Sequence, residues 1–110
     1  VVVSTLTLAE VTHAISRRER EGNITSEVSV EAYRYLLEDW SSFLRIAVDE
    51  DVAREASLMC RTRTLKGADA VQLASAVLLS RAIKDVEFLS YDKQLINIAS
   101  TYPGINIYGA

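Results

Sequence analysis

Apolar residues recur at helical spacing in several stretches of this chain, and the clearest is GADAVQLASAVLL, residues 67–79. Within it, apolar side chains stand at positions i, i+3, i+4, i+7 and i+8, the spacing of one helix face: Ala70, Leu73, Ala74, Val77 and Leu78. The pattern predicts a helix with one buried face. A carboxylate, Asp69, opens the apolar run, and the sequence raises the question of what it does.

Helical patterns also occur elsewhere in the chain. One covers residues 5–21, where Ser4 or Thr5 can cap the helix and the Gly-Asn pair at 22–23 can end it. A short one, YDKQLINIA, covers residues 91–99. These patterns predict one long and one short helix.

Two further helices are predicted in the middle of the chain. The first is capped by Ser26 or Ser29, and one face should give the core its largest aromatic side chains: Tyr33, Leu36, Leu37, Trp40, Phe43 and Leu44. The second follows the acidic DED at 49–51 and ends near residues 65–67, a basic last turn followed by glycine. Its predicted inward face consists of Val52, Ala56, Met59 and Cys60.

Short runs rich in β-branched residues separate the helices. They are VVV (1–3), LRIAV (44–48), VEFLS (86–90) and INIY (105–108). Strands and helices therefore alternate, which predicts an α/β domain with helices packed on a mostly parallel sheet.

Composition adds limits to this picture. A chain of 110 residues, with 49% hydrophobic and 25% charged residues, fits one soluble globular domain. The longest nearly apolar run, residues 70–79, is half of the roughly 20 residues that span a bilayer. One cysteine excludes an internal disulfide, and a cytoplasmic location is predicted. The net charge of −3 argues against a broad nucleic-acid-binding surface.

Three acidic residues follow the predicted strands or open helices: Glu10, Asp69 and Asp92. In a parallel sheet, ligands bind beyond the carboxyl ends of the strands, where loops enter the next helix. Asp69 and Asp92 can equally be helix-capping acids, and Glu10 can be an ordinary, partly exposed glutamate. The sequence alone does not decide between these alternatives.

Other chemically suggestive residues have simpler interpretations. The only histidine, His13, is predicted to lie on a helix surface, and Cys60 is predicted to be packing. Tyr33, Tyr35 and Trp40 favour a core or subunit contact over base stacking. Five basic residues are hypothesised to guide an RNA backbone: Arg17, Arg18, Arg61, Arg63 and Lys66.

Three blocks, STLTLAEVTHAI, LKGADAVQLASAVLL and FLSYDKQL, resemble in order and spacing the conserved blocks of PIN-domain ribonucleases, particularly the VapC-like toxins. The resemblance implies a three-layer α/β/α fold and a cluster of four acids that binds one or two Mg²⁺ or Mn²⁺ ions. Glu10, Asp69 and Asp92 match three of these acids. Ser90 matches a hydroxyl position beside the last acid, where it would contact the substrate or support a ligand.

The chain departs from the family pattern in two places. The fourth acid of the family lies at the end of an N-terminal strand, in a block resembling YLDTSALV, and no such block occurs here. The sequence is therefore expected to be a fragment of a longer protein, or one whose first strand is missing. Gln72 stands where many relatives carry histidine, which affects no predicted metal ligand.

The resemblance implies an Mg²⁺- or Mn²⁺-dependent endoribonuclease, the toxin of a toxin–antitoxin pair, which forms a homodimer and binds an antitoxin protein. The first alternative is a catalytically impaired PIN-derived module that binds RNA or protein. The second is a helical interaction domain in which all three acids are caps.

Overall fold

The computed structural model of the protein describes residues 1–109, which form a mixed α/β fold. The elements in chain order are β1 (Val2–Ser4), α1 (Leu6–Arg20), α2 (Ser26–Ser42), β2 (Leu44–Ile46), α3 (Glu50–Arg63), α4 (Gly67–Ala82), β3 (Val86–Phe88), α5 (Lys93–Ala99) and β4 (Ile105–Ile107). The predicted alternation of strands and helices is confirmed. Within these residues, no helix combines the length and the apolar character needed to cross a membrane.

The strands form two parallel pairs. β1 pairs with β2, with Val2 opposite Leu44, and β3 pairs with β4, with Val86 opposite Ile105. Each strand has three residues, shorter than the predicted runs. The parallel arrangement is confirmed, and the contacts of the chain cluster in two units, Val1–Ile46 and Ala47–Ala110, each with one strand pair.

The first unit consists of α1 and α2 with the β1–β2 pair, and its helices bury little. α1 has no buried residue, and the buried residue of α2 is Ser29. The prediction that α2 supplies the largest aromatic side chains of the core is therefore wrong: Tyr33 is 42% exposed, and Trp40 and Phe43 are half-buried. Two helices and two three-residue strands offer too little surface to cover a wide apolar stripe.

The caps of the first two helices lie close to their predicted positions. Thr5 precedes α1, and the Ser4 hydroxyl accepts a hydrogen bond from the Leu6 N–H at 3.2 Å. The cap of α2 is Thr25, whose hydroxyl accepts from the Val28 N–H at 3.2 Å. Ser26 and Ser29 lie inside the helix, so their assignment as caps is wrong. A cap needs the extended backbone that Thr25 has, with ψ of 164°.

The second unit contains a buried core. α3 packs against α4, and their facing side chains are excluded from solvent. The predicted inward residues are confirmed as buried except Cys60 and Leu78, which are half-buried. The strands and α5 complete this core with Val86, Phe88, Leu95, Ala99 and Ile105. α4 is thus held along one face, which makes it a rigid support for residues in its first turn.

The junction between α3 and α4 differs from the glycine stop that the sequence suggested. α3 ends at Arg63, and the residue after it, Thr64, has a left-handed backbone with φ of 58° and ψ of 36°. Gly67 is instead the first residue of α4. A residue in the left-handed conformation ends a helix, but a β-branched residue such as threonine adopts this conformation at an energetic cost.

We therefore expect Thr64→Gly to raise the free energy of unfolding by about 0.5–1 kcal/mol, because glycine adopts this backbone without strain. Thr64→Ala retains a Cβ and should show less than half of that gain. Urea unfolding followed by circular dichroism measures both. A loss of stability in Thr64→Gly would show that the threonine side chain contributes more than its strained backbone costs.

Candidate functional site

Asp69 lies in the first turn of α4, where it is half-buried. The N-cap of this helix is Lys66, whose side chain makes no capping hydrogen bond. Across residues 1–109, the Asp69 carboxylate likewise has no hydrogen bond or ion pair. Asp69 therefore does not cap the helix through a hydrogen bond, although its charge is favourable near the positive end of the helix dipole.

Asp92 follows β3 and is the N-cap of α5. Its Oδ1 accepts hydrogen bonds from the backbone N–H groups of Gln94 at 2.9 Å and Leu95 at 3.2 Å. The capping interpretation is therefore correct for Asp92. Because Oδ1 receives both bonds, the cap fixes the carboxylate and commits one of its two oxygens.

Ser90 fixes the loop that carries Asp92. Its hydroxyl oxygen accepts a hydrogen bond from the Asp92 backbone N–H at 3.1 Å. This contact bends the chain directly after β3 and places Asp92 at the start of α5. Ser90 thus acts on the position of the acid through the backbone, and its predicted contact with a substrate stays a prediction.

Asp69 and Asp92 line the same cavity, although 23 residues separate them in the sequence. The cavity has a volume of about 130 Å³ and lies within the second unit. Its remaining lining residues are Thr64, Leu65, Lys66, Gln94 and Leu95. The first turn of α4 and the loop after β3 therefore bring two carboxylates together, as the position of binding sites beyond parallel strands predicts.

Glu10 lies in α1, in the first unit, and its side chain is exposed. Its role as a third ligand stays a prediction. Within residues 1–109, no group of three or more His, Cys, Asp or Glu side chains is arranged to hold a metal ion. The acidic part of the cavity is thus a pair of carboxylates.

The chemistry of this pair fits a hard divalent cation. Mg²⁺ prefers oxygen ligands and usually takes one or two protein carboxylates directly, with water completing its coordination. Asp69 and Asp92 can provide those oxygens, and the cavity has room for several water molecules. Two carboxylates that share a site repel each other unless a positive charge compensates, so a cation would stabilise the charged pair.

Several cavity residues were not singled out by the sequence. Thr64 and Leu65 line the cavity just before α4 begins, and Gln94 lines it from the first turn of α5. Their proximity in sequence to Asp69 and Asp92 was the available signal, but it does not distinguish residues that line a site from those that point away.

His13 is exposed on α1, as predicted.

Comparison with known proteins places this chain in a family. The family model described as PIN domain matches residues 1–100. Neither the search of curated proteins nor that of solved structures gave a match. The match covers most of the chain and includes both cavity carboxylates, so this chain belongs to the PIN domain family, whose members are generally nucleases that use divalent metal ions.

Proposed function

We propose that this protein is an Mg²⁺- or Mn²⁺-dependent endoribonuclease that hydrolyses RNA phosphodiester bonds. Asp69 and Asp92 are its metal ligands, with Glu10 as a third. The observation that carries the proposal is the shared cavity, in which Asp69 presents a carboxylate that no group in residues 1–109 binds. A capping hydrogen bond does not account for this carboxylate, because it makes none within residues 1–109.

The protein contributes orientation to this chemistry. Asp69 is mounted on α4, whose Ala70, Leu73 and Ala74 are fully buried, so its main chain has little freedom to move. Asp92 is held by two backbone N–H groups on Oδ1, which leaves its other oxygen outside the cap. A divalent cation bound there supplies a more acidic water and offsets charge on the phosphate oxygens.

We further propose that the protein is the cytoplasmic toxin of a toxin–antitoxin pair, a homodimer that also binds an antitoxin. The first unit supports a protein contact, because large apolar side chains on α1 and α2 are exposed: Val11, Val28, Val30, Tyr33 and Leu37. The net charge of −3 suits a basic antitoxin segment.

The alternative is a PIN-derived module that binds RNA or protein without cleaving it. The observation that favours it is the acidic pair, since the predicted cluster has four acids and two line the cavity. This alternative predicts weak metal affinity, whereas the nuclease proposal predicts metal binding coupled to cleavage.

Incubating the purified protein with end-labelled RNA distinguishes these proposals. We expect internal cleavage with Mg²⁺ or Mn²⁺, none with excess EDTA, and recovery when Mn²⁺ is restored. Isothermal titration with Mn²⁺ measures metal binding independently of cleavage. RNA binding without cleavage at any metal concentration would favour the binding module, and the absence of both would contradict an RNA function.

A further inference from the structure

Lys66 is the basic residue of the carboxylate cavity. It is exposed, lies three residues before Asp69, and lines the same cavity as Asp69 and Asp92. Its backbone is extended, with ψ of 151°, and its side chain makes no capping hydrogen bond to α4. Lys66 therefore lines the cavity with a side chain that no group in residues 1–109 binds.

Two other basic residues near helix ends, Arg17 and Arg63, are already engaged. Arg17 forms an ion pair with Glu21 at 2.8 Å. Arg63 hydrogen-bonds the Thr101 hydroxyl, and its guanidinium lies 5.2 Å from the centre of the Tyr102 ring. Lys66 has no ion pair within the described part of the chain. Of these three, it is the one whose charge remains available to a ligand.

The position of Lys66 is unfavourable for helix stability. N-cap positions favour Ser, Thr, Asp and Asn, and a positive charge is repelled by the positive end of the helix dipole. A residue that destabilises its helix and lines a cavity is best explained by a role in binding a ligand there.

Charge balance identifies that ligand. Two ionised carboxylates and one divalent cation together carry no net charge, while a phosphodiester brings one negative charge. Lysine acts as a point charge toward phosphate oxygens. We propose that Lys66 binds a backbone phosphate of the nucleic-acid substrate beside Asp69 and Asp92. This inference rests on the proposed nuclease function and assigns its substrate contact.

The test measures binding of a fluorescent single-stranded RNA by anisotropy, in an Asp69→Asn background that prevents cleavage under the proposed function. Adding Lys66→Gln should weaken the Kd about 5-fold at 50 mM salt and about 2-fold at 200 mM, because one phosphate contact is lost and the log–log salt slope falls by about 0.7. Lys66→Arg should preserve the slope.

The matched control is Lys84→Gln in the same background, which removes the same charge from an exposed residue outside the cavity. It should leave both Kd and slope unchanged. Equal effects of the Lys66 and Lys84 substitutions, or no effect of either, would overturn the inference even if the parent protein cleaves RNA. A specific Lys66 effect in a protein that cleaves nothing would retain the phosphate contact and reject the nuclease proposal.

Thermal unfolding of Lys66→Gln should show an equal or higher midpoint, because the substitution removes a positive charge from the positive end of the dipole of α4.

Discussion

Asp69→Asn is expected to slow metal-dependent RNA cleavage by about 100-fold or more, equivalent to about 2.7 kcal/mol of transition-state stabilisation. The substitution preserves the shape of the side chain and removes the negative charge that would bind the cation under the proposed function. Asp92→Asn should have a similar effect. Initial rates at saturating Mn²⁺ measure the loss, and titration calorimetry should show weaker Mn²⁺ binding in both variants.

Stability measurements separate this loss from misfolding. The Asp69 carboxylate makes no hydrogen bond within residues 1–109, and asparagine is as good an N-cap as aspartate at position 92, so both variants should unfold within about 0.5 kcal/mol of the parent. The control Asp51→Asn changes an exposed acid in the first turn of α3 that lies outside the cavity. If Asp69→Asn cleaves as fast as Asp51→Asn, Asp69 is not a metal ligand.

Leu73→Ala is expected to lower the free energy of unfolding by about 3 kcal/mol, because it leaves a cavity at a fully buried position of α4. Leu73 lies one turn after Asp69 on the helix that supports the site. Urea unfolding monitored by circular dichroism gives the change directly. A fold that tolerates this loss should still bind Mn²⁺ at low temperature, since Leu73 does not line the carboxylate cavity.

The matched substitution is Leu58→Ala on α3, which removes the same atoms from a leucine that is 55% exposed. We expect it to cost less than about 0.5 kcal/mol, because these atoms already contact water. Similar losses of unfolding free energy from the two variants would mean that Leu73 is no more buried than Leu58. That outcome would contradict the buried face that supports Asp69.

The buried side chains of the second unit show what the apolar periodicity of the sequence can predict. Its apolar periodicity identified Val52, Ala56 and Met59 as inward residues, and all three are buried. The same method failed for α2, whose apolar face is exposed or half-buried. Periodicity states which side chains share a face, but it does not state how much protein is available to cover that face.

Helix ends were less predictable than helix interiors. Thr25 caps α2 in place of Ser26 or Ser29, and Thr64 ends α3 where a glycine was expected. Neighbouring hydroxyl residues have similar capping ability, so the backbone angles of the whole turn decide which of them is used. Only the folded chain fixes those angles.

The sequence by itself determined the α/β alternation, the buried face of α4 and the candidate acids, because periodicity and residue chemistry are local properties. The tertiary structure decided which candidates meet. It brought Asp69 and Asp92 into one cavity, added Lys66 to its wall, and showed that one acid is a cap while the other is not. Asp69 and Asp92 are 23 positions apart in the sequence, and they line one cavity because of how α4, β3 and α5 pack. No local sequence pattern encodes that packing.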